Sequence, residues 1–119
     1  MVRGTTNEHL RTLISDLKAL SSKNSINIWK RIARDLERPS RQRREVNLSR
    51  INRYAKDNET VIVPGKVLAA GSLSKKVTIA AWQFSDQALV KIKDSKSTSM
   101  SIEELMKKNP KGQKVRILG

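Results

Sequence analysis

Leu10, Leu13, Ile14, Leu17 and Leu20 recur at intervals of three and four, the spacing that aligns apolar side chains on one face of a helix. Thr5, with Glu8 three residues on, has the form of a capping box at its start. The polar run Ser21-Ser22-Lys23-Asn24-Ser25 interrupts the pattern, and Ile28, Trp29, Ile32, Ala33 and Leu36 resume it. Pro39 ends the second segment, because proline lacks an N–H and clashes with the preceding turn. The two segments predict a helical hairpin. Within the second, Lys30, Arg34 and Arg38 repeat every four residues on a stripe apart from the apolar one, so the outer face of that helix is cationic. Leu48, Ile51 and Ala55 predict a short third helix capped by Asn47, with Arg50 and Arg53 pointing outward.

The texture changes at Thr60-Val61-Ile62-Val63, a β-branched run followed by Pro64-Gly65 and then Lys66-Val67-Leu68. Proline and glycine chemistry predicts a turn there that exposes Lys66, between two short strands or extended segments, with another turn at Gly71. Lys75 and Lys76 precede a strand over Val77-Thr78-Ile79-Ala80-Ala81-Trp82, and Ser85 offers a cap for a helix with Ala88, Leu89 and Ile92. The polar stretch from Asp94 to Ser99 reads as a loop. Ser101 and Glu104 form a second capping box, opening a helix with Leu105 and Met106 inward and Lys107 and Lys108 at its negative end. Asn109-Pro110-Lys111-Gly112 is a turn, and Val115-Arg116-Ile117-Leu118 a closing strand. The expected fold class is α/β. A helical basic part with an arginine-rich loop (1–56) precedes a mixed α/β core (57–119), in one domain, since 119 residues can bury one modest core.

Composition sharpens this picture. The apolar fraction is 37% with four aromatics, Trp29, Tyr54, Trp82 and Phe84, so the core is aliphatic and thin. A net charge of +14 and a pI near 10.7 call for phosphates or anionic headgroups as partners. No apolar run approaches the roughly 20 residues of a membrane span, and Met1 to Thr6 lacks a signal peptide's hydrophobic region, so the chain reads as intracellular without a membrane partner. Without cysteine there is no disulfide or thiolate metal site.

Enzymatic chemistry finds little to work with. His9 is the only histidine, lies in the polar first turn of the first helix, and has no evident partner. The acids are scattered, and the five glycines are too dispersed for a P-loop or a dinucleotide fingerprint. No cofactor, metal or small-molecule substrate is implied. Between Lys30 and Lys56, by contrast, ten Lys/Arg residues face three acids, and eight of the ten are arginine. Ion pairing within the helices cannot balance that excess, and the planar guanidinium fork matches phosphate oxygens better than an ammonium does. The densest part is Pro39-Ser40-Arg41-Gln42-Arg43-Arg44-Glu45-Val46-Asn47, an otherwise polar loop. Its length between helices disfavours a helix-turn-helix DNA reader, and few aromatics fall on predicted strands to stack single-stranded bases. Backbone-dominated recognition of a folded RNA remains.

The residues of that loop carry a resemblance. Pro39-Ser40-Arg41, Arg43-Arg44 and Val46-Asn47-Leu48-Ser49-Arg50-Ile51 are similar to the signature of the archaeal and eukaryotic "eighteen-e" family of large-subunit ribosomal proteins. Val63-Pro64-Gly65-Lys66-Val67-Leu68, Val77-Thr78-Ile79-Ala80-Ala81 with Phe84-Ser85, and Asn109-Pro110-Lys111-Gly112 before Val115-Arg116 resemble it too, in order, across nearly the whole chain. Ala69 departs from a glycine usual in that family. The resemblance implies an irregular ββα superhelical core, shared with bacterial large-subunit protein "fifteen", behind a basic helical part. It also implies a structural, non-catalytic role in an archaeal large subunit, with large-subunit ribosomal RNA and neighbouring ribosomal proteins as partners. The contacts are expected from Lys30, Arg34, Arg38, Arg41, Arg43, Arg44, Arg50 and Arg53, and secondarily at turns from Lys66, Lys75, Lys76, Lys111 and Lys114. The competing readings are a chromatin-type DNA-binding protein and an RNA-processing or RNA-modifying enzyme.

Overall fold

The computed structural model describes residues 8–24, 27–38 and 44–118. In chain order these form α1 (Glu8–Asn24), α2 (Asn27–Leu36), β1 (Arg44–Asn47), α3 (Leu48–Tyr54), β2 (Thr60–Leu68), β3 (Thr78–Phe84), α4 (Asp86–Asp94), β4 (Thr98–Ser101), α5 (Ile102–Lys108) and β5 (Val115–Ile117). The class is α/β, as expected. All strand pairings are parallel in the order β1-β2-β3-β4, and β5 joins β2 on the same edge as β1. Parallel sheets need both faces covered, and here two apolar clusters do so. Val61, Val63, Val67, Ile79 and Ala81 pack with Leu48 and Ile51 of α3 and Ala88 and Ile92 of α4. On the other face Ile62 and Ala80 pack under α1, α2 and α5. The alternation along β2 therefore feeds two cores, which is why its sequence is continuously apolar rather than half polar.

The sharpest departure from expectation lies at Pro64-Gly65. No turn forms: β2 runs through both residues as one nine-residue strand. The reason is in the pairing. Thr60–Ile62 pair with β5 and Gly65 to Leu68 pair with β1, so the proline without an N–H falls in the gap between the two edge partners. On the β3 side the register shifts between Val63 and Lys66, a bulge at the same place. Lys66 is accordingly half-buried within a strand, aligned with Glu45 and Gln83, and not exposed on a turn.

Other corrections are local. The expected loop over Asp94 to Ser99 already contains the start of β4, a short polar strand whose only buried residue is Met100. Leu89 lies outward, 41% exposed, and the buried face of α4 is Ala88 with Ile92. Helix α3 starts after Asn47, but the Asn47 amide oxygen does not cap it; it accepts instead from the Ala70 N–H at 3.2 Å. The arginine-rich loop is partly strand, since its last four residues are β1. The proposed cap at Thr5 lies outside the described residues. Ser85 does cap α4, accepting from Ala88 N at 3.1 Å, and the Ser101–Glu104 capping box is complete in both directions.

Candidate nucleic-acid interface

Helix α2 owes its position to its apolar stripe. Trp29, Ile32, Ala33 and Leu36 are fully buried, and Ile32 and Leu36 contribute about 1.5–3 kcal/mol each by leaving water. The Trp29 indole N–H also donates to the Pro110 carbonyl at 2.7 Å, tying the helix to the turn before β5. With that stripe fixed, Lys30, Arg31 and Arg34 are exposed on the opposite side. Arg38, just beyond the helix, is exposed with Asp35 4.0 Å away.

The tract then passes 39–43, where Arg41 and Arg43 lie outside the described residues. It re-enters at β1, whose first backbone position is Arg44 and whose Val46 is buried in the sheet. Beyond β1, helix α3 buries Leu48 and Ile51 and exposes Arg50 and Arg53. Both guanidiniums lie over the Tyr54 ring, 5.5 and 5.8 Å from its centroid. Helix α2 covers one face of the sheet and α3 the other, with the edge strand β1 between them in sequence, so the described cations of the tract are divided between the two faces.

The tract's own carboxylates leave it largely uncompensated. Glu37 is bonded to Lys18 at 2.8 Å, outside the tract, and Asp35 faces Arg38. Among the described residues no carboxylate lies within ion-pair distance of Lys30, Arg31, Arg34, Arg50 or Arg53. The secondary positions divide. Lys111 and Lys114 are exposed in the segment leading to β5, on the same sheet edge as β1, and Lys76 is exposed beside Asp57 and Asn58. Lys75 is half-buried and its ammonium donates to the Ala55 carbonyl at 2.8 Å, closing the end of α3.

A family model described as "Ribosomal protein 60S L18 and 50S L18e" matches residues 2–119. The chain belongs to this family of large-subunit ribosomal proteins. Its relatives include the large ribosomal subunit proteins eL18 of Methanoregula boonei, 55% identical over 95% of this chain and 93% of that protein, and of Archaeoglobus fulgidus, 49% identical over 95% and 97%. The Halobacterium salinarum protein of the same name is 43% identical over 95% and 97%. A member of the L18e family works on the ribosome, in the cytoplasm, and these relatives are archaeal.

Sequence reasoning missed two features of this L18e-family chain. His9 does have partners: its Nε2 lies 2.9 Å from a Glu103 carboxylate oxygen and its ring stacks on Trp82 at 5.5 Å, clasping the start of α1 to α5 and β3. The other is a shallow cleft of about 590 Å³ at the N-terminal ends of β2 and β5, lined by Lys56, Asp57, Asn58, Glu59, Lys114, Val115 and Arg116. Arg116 grips Glu59 there with Nε and Nη2 at 2.8 and 3.3 Å, and that hydrogen bond holds the Glu59 carboxyl below its ordinary value of 4.5. Neither contact has a local signal, because its partners are 57 or more residues apart in the chain.

Proposed function

We propose that this chain is a structural constituent of the large ribosomal subunit that braces ribosomal RNA through phosphate contacts and catalyses no reaction. The observation that carries the reading is the placing of exposed cations on α2 and α3, which lie on opposite faces of the sheet before and after the edge strand β1. A charged surface divided in this way meets RNA backbone from two directions, which suits shape-based recognition of a folded RNA. Lys30, Arg34 and Arg38 serve one side, Arg50 and Arg53 the other, and Arg41, Arg43 and Arg44 the segment between. Lys76, Lys111 and Lys114 extend the field; Lys66, half-buried, and Lys75, held by Ala55, are lesser contributors. Neighbouring ribosomal proteins complete the surroundings. A chromatin-type role has no comparable support: α3, the element placed to act as a reading helix, is seven residues long and anchored in the core.

The decisive perturbation reverses Arg41, Arg43 and Arg44 together to glutamate. The variant is expected to keep its helical circular-dichroism signal and to be lost from sedimenting large subunits, and wild-type incorporation would overturn the reading. For the unaltered chain, about six to ten phosphate contacts predict a loss of roughly 10³–10⁵ in RNA affinity between 50 and 200 mM salt.

A further inference from the structure

The chain has four aromatic residues, all among those described. Trp29 is buried, Trp82 is half-buried and stacked on His9, and Phe84 packs against the core. Tyr54 alone is exposed, at 49%, and lies near the C-terminal end of the cationic tract with the guanidinium carbons of Arg50 and Arg53 over its ring, 5.5 and 5.8 Å from the centroid. We propose that Tyr54, with Arg50 and Arg53, is a stacking platform for one unpaired nucleobase, so that the RNA presents a bulged or looped-out nucleotide at the end of α3. This rests on the RNA-binding reading and adds to it a role that phosphate neutralisation does not contain.

The platform is held in advance. Leu48 and Ile51 fix the inner side of α3, the Asn52 amide oxygen accepts from Ser74 N and Oγ at 2.9 and 3.1 Å, and Lys75 closes its last turn at Ala55. A ring carried by a rigid element stacks at little ordering cost, whereas a flexible one loses entropy on binding. Aromatic rings and guanidinium planes both stack on bases, and an unpaired base is what exposes its face to them. Since no second exposed ring lies beside Tyr54 among the described residues, the platform takes a single base, and stacking alone is tolerant of which one.

The test uses the full chain and in-vitro-transcribed large-subunit ribosomal RNA. Tyr54→Ala is expected to bind roughly 5- to 150-fold more weakly, the range typical of one lost base stack, with the salt slope unchanged because no charge is removed. Tyr54→Phe and Tyr54→Trp retain the ring and are expected to bind as wild type. Irradiation of the wild-type complex at short ultraviolet wavelength, followed by nuclease and protease digestion, is expected to leave a nucleotide adduct on the Tyr54 peptide. Tyr54→Ala binding within twofold of wild type, or Tyr54→Phe binding as poorly as Tyr54→Ala, overturns the platform. If that happens while the Arg41, Arg43 and Arg44 reversal still abolishes binding, the phosphate reading stands without it. If the wild-type chain itself fails to bind this RNA, both fall.

Discussion

Replacing Trp29 by alanine removes the side chain that seats the cationic helix. An indole buries about 150–250 Å², and at roughly 25 cal/mol per Å² its burial is worth about 4–6 kcal/mol. That agrees with the 3–5 kcal/mol typical of Trp→Ala in a core. The lost hydrogen bond to the Pro110 carbonyl adds about 1 kcal/mol. Domains are stable by only about 5–15 kcal/mol, so Trp29→Ala is expected to lose about a third or more of the stability of the fold. Trp29→Phe separates the contributions: it keeps most of the apolar contact, loses the N–H donor and leaves a small void, and should cost about 1–3 kcal/mol. Urea titration followed by far-ultraviolet circular dichroism measures both, with equal m-values confirming that the same surface is exposed. A Trp29→Phe protein within 0.5 kcal/mol of wild type, or a folded Trp29→Ala within about 1 kcal/mol, would refute the reasoning.

Three further substitutions separate capping from tethering and isolate one titration. Ser101→Ala removes the hydroxyl that accepts from Glu104 N, while the backbone N–H at 101 can still donate to the Glu104 carboxylate, and should cost about 0.5–2 kcal/mol, whereas Asn47→Ala, despite occupying the N-cap position of α3, should act by loosening the segment at Ala70. Hydrogen exchange at the Ala70 amide distinguishes them, rising in Asn47→Ala and not in Ser101→Ala. Glu59, whose pKa is lowered mainly by the Arg116 hydrogen bond, contributes stability that is fully present above its ordinary value of 4.5 and is lost as pH falls through its lower folded value. Glu59→Gln should therefore flatten the decline of melting temperature in acid, and an unchanged acid profile would discount the pair.

What was legible in the sequence was whatever depends on neighbours in the chain. The stripe Trp29, Ile32, Ala33 and Leu36 with its cationic counterpart, and the caps at Ser85 and Ser101, follow from spacing over one or two turns of helix. Pro64-Gly65 misled because turn chemistry is a local rule, and the rule was overridden by two strands, β1 and β5, meeting β2 end to end around the proline. Asn47 carried a capping preference but found the Ala70 amide 23 residues away. Strand β4 escaped because a short strand with only Met100 buried carries almost no apolar signal. The cationic tract was legible as a composition but not as a shape: its division between two faces of the sheet depends on β1, whose polar, arginine-rich residues have the composition of a loop.

Strand β2 is flanked on one side by a strand translated before it and one translated well after it, β1 and then β5, and Trp29 waits for an acceptor 81 residues downstream. During synthesis the arginine tract thus leaves the exit tunnel long before the sheet that shapes it can close. Contacts of such long sequence separation form slowly, because the loops they close must be ordered first. The interval in which this polypeptide carries its highest positive charge per residue with its sheet still open is built into its strand order.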